Sequence, residues 1–106
     1  MSLDIHLQHP DDPSEESYSA NITHNLAPMW REAGCYEALY ESAGKTAAEI
    51  LPALRRALVE LSTQPSKYKA LDSPNGWGKW RDALPWLAEL TEACENDPEH
   101  IVRIHR

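Results

Sequence analysis

The stretch Leu3-Asp-Ile-His-Leu-Gln-His9 sets the architecture of the chain, because apolar and polar residues alternate along it. Alternation with period two is typical of a strand that buries one face. Residues 100–106 alternate in the same way, with Val102 and Ile104 on one side. A lone strand leaves its backbone donors and acceptors unpaired. We therefore expect strands over 3–9 and 100–106 to pair with each other as an antiparallel ribbon.

The segment after the first strand, Pro10-Asp-Asp-Pro-Ser-Glu-Glu-Ser17, holds two prolines and four acidic residues. This composition is typical of a loop, so we predict an acidic connector over 10–17.

From residue 18 onward, apolar residues recur at steps of three and four, which is typical of a helix. Gly34 is a natural stop for this helix. Pro28 lies inside it and removes one backbone hydrogen bond, so we predict a kink there. The apolar stripe consists of Tyr18, Ile22, Leu26, Met29 and Ala33.

The clearest helix begins at Thr46, because Thr46-Ala-Ala-Glu49 matches a capping box in which each side chain binds the other residue's backbone amide. This helix is expected to end near Gln64-Pro65. Further helical pieces are predicted at 35–42, 66–71 and 77–96.

These elements predict an α+β fold that is mainly helical, with three to four helices packed under the short ribbon. The helical body covers 18–96, and we expect a single domain over 1–106, since a chain of 106 residues has room for one hydrophobic core.

The formal net charge of −7 argues against a nucleic-acid partner, which would require clustered lysine and arginine. Residues 1–16 contain five acidic residues and no lysine or arginine. No apolar run is long enough to span a bilayer, and no secretory signal is recognisable. We therefore expect a cytoplasmic protein without membrane contact or cofactor.

A polar cluster, Asn21-Ile-Thr-His-Asn-Leu26, falls on the predicted first helix. Asn21, His24 and Asn25 are candidate binding residues, since their side chains offer hydrogen bonds and His24 has the chemistry of a general base. The alternative is that the two asparagines bind neighbouring backbone and His24 lies on the surface.

The turn Asn75-Gly-Trp-Gly78 is the sharpest local signal. Asn75 favours the turn. Trp77 is either a recognition anchor, as exposed tryptophans often are, or a plug that fixes the loop to the core.

Five histidines and two cysteines raise the question of a metal site. His6 and His105 are expected to face each other on the outer side of the ribbon, but no spacing matches a zinc motif, so we predict no metal site. Cys94 lies on the core side of the last helix and is expected to be buried and inert; neither it nor Cys35 has a basic neighbour that would activate the thiol.

The motifs Asn21-Ile-Thr-His-Asn-Leu26, Ala33-Gly-Cys-Tyr-Glu-Ala-Leu39 and Pro74-Asn-Gly-Trp-Gly78, followed by a last helix and a short strand, resemble a family of small proteins. Its members are encoded by bacteriophages and bacterial genomes, often in prophages, and have no assigned function. The resemblance covers about residues 18–106. It implies an intracellular accessory protein that acts on another macromolecule, and it assigns no catalytic residue.

We therefore expect a protein–protein interaction module of phage or prophage type, with an unidentified protein partner, and not an enzyme. The open edges of the ribbon also suggest a homodimer. The alternative is a small-ligand-binding protein or enzyme with a polar pocket around Asn21, His24 and Asn25. That alternative requires the loop 72–78 to fold over the first helix.

Overall fold

The N-terminal strand lies in the middle of a three-stranded antiparallel sheet, with strand order β2-β1-β3. The computed structural model describes residues 2–106 and confirms the α+β class. The strands are β1 (Ser2–His9), β2 (Asp12–Thr23) and β3 (Ile101–His105). The helices are α1 (Ala27–Ala33), α2 (Tyr36–Tyr40), α3 (Ala47–Thr63), α4 (Pro65–Lys69) and α5 (Trp80–Asn96), with a 3-10 turn at His24–Leu26 before α1.

The predicted pairing of the two chain ends is confirmed. Ile5 lies opposite Ile104 in the β1–β3 pair and opposite Ala20 in the β1–β2 pair. The inward face of β1, formed by Leu3, Ile5 and Leu7, is completely buried. The sheet therefore supplies one wall of the hydrophobic core.

The prediction of a connector over 10–17 and a helix from residue 18 is wrong. The chain turns at residues 10–11 and returns as β2, which pairs with β1 along most of its length. Tyr18, Ala20 and Ile22 alternate with exposed Ser19 and Asn21, so the same apolar residues also fit period two. Pairing with β1 satisfies a row of backbone groups at once, and this long-range gain outweighs the local helical spacing.

The predicted kink at Pro28 is also absent from the described structure. Pro28 lies in the first turn of α1, where a backbone N–H has no partner within the helix in any case. Gly34 ends α1 in the left-handed conformation, with a φ of 84°, as the sequence predicted.

Residues 2–106 contain five α-helices, more than the three to four predicted. The capping box of α3 is present: Thr46 N donates to Glu49 Oε2 at 3.0 Å, and Glu49 N donates to Thr46 Oγ1 at 3.3 Å. Among residues 2–106, no helix combines the length and the apolar composition that crossing a membrane requires.

The outer edge of β3 is covered by the segment before α3. Gly44 N donates to Val102 O at 2.9 Å, and Val102 N donates to Lys45 O at 2.8 Å. Thr46 forms a further bridge with Ile101. Since β1 is central and the outer edge of β3 is covered, a strand from another chain would have to pair with the outer edge of β2.

The loop before α5 is longer than predicted, because the helix begins at Trp80 and not at Trp77. Gly76 and Gly78 have φ values of 81° and 99°, which are outside the helical region. Trp80 fixes the start of α5: its backbone N donates to Asp72 Oδ1 at 2.7 Å, and its indole Nε1 donates to Leu61 O at 2.7 Å.

Candidate functional site

A groove with a volume of about 750 Å³ lies where the end of β2, the 3-10 turn and the loop before α5 meet. Its walls are formed by Ser2, residues 21–26, residues 75–78 and Asp82. All five binding residues predicted from the sequence line this groove: Asn21, His24, Asn25, Asn75 and Trp77.

The loop is pressed against the opposite wall of the groove at Gly78. A Cβ atom at this position would lie 3.1 Å from Asn25 Cβ and 3.2 Å from Thr23 Cγ2. Together with the φ of 99°, this close approach favours glycine, since any side chain would strain the backbone and displace its neighbours. The loop therefore does fold over residues 21–26, although those residues are not helical as predicted.

Asn75 holds the turn together. Its Oδ1 accepts hydrogen bonds from Ser73 Oγ at 2.7 Å and from Trp77 N at 2.9 Å. These bonds fix the backbone of Trp77 from within the loop, so Asn75 has a structural role beside its place in the groove wall.

Trp77 is 71% exposed, so it does not fill the core. By contrast, Trp30 is completely buried. Trp86 is half-buried and packs against Trp30 with ring centroids 5.7 Å apart. The interpretation of Trp77 as a plug that fixes the loop to the core is therefore wrong, and its side chain is exposed.

Asn21 lies on the outer face of the sheet at the groove edge. Its Nδ2 donates to Ser2 Oγ at 2.8 Å and to Asp4 Oδ1 at 2.7 Å. Both amide hydrogens are used by these bonds, so Oδ1 is the atom that Asn21 offers to a ligand.

His24 is half-buried, so the alternative that placed it on the surface does not describe its position. Its Nδ1 lies 2.9 Å from the Tyr40 hydroxyl, and Tyr40 in turn stacks on Tyr36 with ring centroids 4.5 Å apart. Burial raises the pKa of Tyr40, so its hydroxyl stays protonated at neutral pH. The imidazole is thereby held in one orientation by a neutral phenol.

Sequence reasoning missed Tyr40, Gly78 and Asp82. Tyr40 is 16 residues from His24, and no local pattern connects the two. Gly78 belongs to the tryptophan motif, but the sequence does not show that it lies against Asn25 and Thr23. Asp82, in the first turn of α5, is exposed and contributes a carboxylate to the groove.

The two cysteines and the histidine pair on the sheet lie away from the groove. Burial raises the pKa of the Cys35 and Cys94 thiols to about 12, so both are protonated at neutral pH. The rings of His6 and His105 lie 5.6 Å apart on the sheet, as predicted.

A scan against models of protein families finds no match for this chain. Searches of curated proteins and of solved structures also return no match.

Proposed function

We propose that this chain is a cytoplasmic protein–protein interaction module, an accessory protein of phage or prophage type, and that the groove receives a segment of its partner. The observation that carries the proposal is Trp77, which is 71% exposed at the rim of the groove. The two motifs that resemble the phage and bacterial family, residues 21–26 and 74–78, both contribute to this groove.

Trp77 has the properties of an interface anchor. Tryptophan is enriched among the residues that dominate binding energy, because it buries a large rigid surface. Asn75 and Gly78 hold the backbone on either side of the ring, so binding requires little ordering of the loop.

The groove suits a polypeptide segment better than an enclosed small molecule. Small-molecule sites usually surround most of the ligand surface, whereas this groove is open along the loop. Its rim carries acceptors at Asn21 Oδ1 and at the Asp82 carboxylate. Beside an exposed indole, such acceptors favour a segment that contains lysine or arginine. The net charge of −7 likewise favours a positively charged partner.

The test is selection of binding peptides from a displayed random library against the full chain. Selected peptides are then measured by calorimetry against Trp77→Ala and Val59→Ala. Val59 is the matched control, since it is 61% exposed on α3 and does not line the groove.

We expect peptides rich in basic residues that lose roughly 30-fold in affinity with Trp77→Ala and bind Val59→Ala unchanged. The proposal is contradicted if no peptide is recovered, or if the recovered peptides bind Trp77→Ala as tightly as the original protein.

A second candidate is a small-ligand-binding protein or enzyme, favoured by the hydrogen bond between His24 and Tyr40. Here the groove would bind a small polar molecule through Asn21, His24 and Asn25. A thermal-shift screen of small metabolites tests it: a ligand is expected whose stabilisation is lost in His24→Ala and reduced in Tyr40→Phe. A screen without such a ligand contradicts this candidate.

A homodimer is proposed to pair through the outer edge of β2, because the outer edge of β3 is covered. Sedimentation velocity is the measurement, and a proline at Ser19, an exposed position on β2, is expected to reduce dimerisation. A monomer at all concentrations contradicts it.

A further inference from the structure

Three metal-binding side chains converge in the turn between α5 and β3. The turn is closed by His100 N, which donates to Asp97 O at 3.1 Å. It brings Asp97 Oδ1, Glu99 Oε1 and His100 Nε2 within 4.8 Å of one another.

The distances between these side chains suit ligands of one shared metal ion better than hydrogen bonds from one side chain to another. His100 Nε2 lies 3.8 Å from Asp97 Oδ1 and 3.8 Å from Glu99 Oε1. Both distances are too long for hydrogen bonds. Around a tetrahedral zinc ion with bonds of about 2.1 Å, neighbouring ligand atoms are about 3.4 Å apart, so the two distances from His100 Nε2 exceed this spacing by a few tenths of an ångström.

His100 is prepared for this role by its surroundings. Its side chain is only 9% exposed, and its Nδ1 lies 2.9 Å from Ser17 Oγ on β2. When Nδ1–H donates to the serine, Nε2 presents its lone pair toward the two carboxylates. Zinc-binding histidines commonly have such a second hydrogen bond, which fixes the tautomer and the ring orientation.

The neighbouring surface adds negative charge. Glu15 and Glu16 line a depression that His100 and Ser17 also line. These two acidic residues beside His100 favour a cation on this part of the surface. The nitrogen donor favours zinc over magnesium or calcium, since those ions prefer oxygen ligands throughout.

We propose that Asp97, Glu99 and His100 bind a divalent transition-metal ion of the Zn²⁺ class, with water completing the coordination and Ser17 positioning the imidazole. This site lies apart from the groove and does not depend on the proposed function. The ion would connect the end of α5 to the start of β3 and, through Ser17, to β2.

The test is calorimetric titration of the full chain, first stripped with EDTA, with Zn²⁺ alone. Asp97→Asn and Glu99→Gln are the informative variants, because both side chains are at least partly exposed and the changes preserve shape. Glu92→Gln on the exposed surface of α5 and His105→Asn on the sheet are the controls.

We expect one site whose affinity falls at least tenfold in Asp97→Asn and in Glu99→Gln, and 10- to 100-fold in Ser17→Ala. Both controls should bind Zn²⁺ normally, and Mg²⁺ should not compete. The melting temperatures in EDTA should match the original protein, which separates lost ligation from lost folding.

The proposal is overturned by any of four results. These are no measurable binding of Zn²⁺, binding that survives both carboxylate substitutions, binding that disappears with His105→Asn, and equal affinity for Mg²⁺.

Discussion

Trp30 and Trp77 show how one side chain type has two different roles in the same molecule. Trp30 is completely buried in the core, where it packs against Trp86, whereas Trp77 is 71% exposed beside the groove. The backbone causes the difference. A helix directs Trp30 inward, while the left-handed glycines on either side of Trp77 turn its ring away from the core.

This difference implies that stability and binding are separable in this protein. The loop is held by bonds from the Asn75 side chain and by the contact of Gly78 with Asn25, none of which uses the indole of Trp77. We therefore expect changes on the core side to affect folding, and the change at Trp77 to affect recognition alone.

Alkaline pH should have the largest effect, and it acts on the core side. Burial raises the pKa of Cys35 and Cys94 to about 12, and burial together with the hydrogen bond to Glu60 raises the pKa of Tyr68 to about 12. The unfolded chain loses these protons first, at ordinary pKa values of 9.0 for cysteine and 10.0 for tyrosine.

The stability that the folded state gains from these three buried, uncharged groups is therefore fully present below pH 9 and is lost as the pH rises toward about 12. Far-UV circular dichroism should show cooperative unfolding in this range. A spectrum that is unchanged through pH 12 would contradict the assignment of these groups to a tightly closed core.

Trp30→Ala should have the next largest effect, a loss of about 3–5 kcal/mol in the free energy of unfolding, because it leaves a large cavity. Urea denaturation is the measurement, with Trp77→Ala alongside. A loss below about 1 kcal/mol at Trp30 would mean that the core is loosely packed there.

The sequence predicted elements whose signals are local. The capping box at Thr46 and Glu49 fixes the start of α3 within four residues, and the alternation at Leu3, Ile5 and Leu7 identifies a strand directly. Both predictions are confirmed.

Elements that depend on distant partners were not predictable in the same way. Tyr18 and Ile22 are four residues apart and fit a helix, and only the pairing with β1 selects a strand. Residue types likewise identified Asn21, His24 and Trp77 as candidates, but the contact between His24 and Tyr40 arises from tertiary packing that no local pattern contains.

Gly78→Ala should destabilise the protein less than Trp30→Ala. It tests whether the loop that carries Trp77 is held against the body of the protein. The added methyl group meets a φ of 99° and the Asn25 side chain at 3.1 Å. Gly76→Ala is the matched control, since Gly76 also has a positive φ, of 81°, but has open space around it.

We expect about 1 kcal/mol of destabilisation at Gly76 from backbone strain, and more at Gly78 from strain and the contact together. Thermal unfolding of both variants is the measurement. Equal losses would mean that the loop is not seated against residues 23–25.

Trp77→Ala should have the smallest effect on folding, within about 0.5 kcal/mol of the original protein, because the indole makes little contact with the core. A larger loss in urea denaturation would show that the ring stabilises the fold. That result would contradict the assignment of Trp30 to folding and Trp77 to recognition.

The most direct test of the account is a titration of the ¹⁵N-labelled chain with a groove-selected peptide, followed by amide and indole chemical shifts. The account predicts that the shift changes concentrate at residues 21–26 and 75–78, with the Trp77 indole among the largest. Changes concentrated around Val59 on α3 or along residues 12–17 of β2, with the Trp77 indole unmoved, would contradict it.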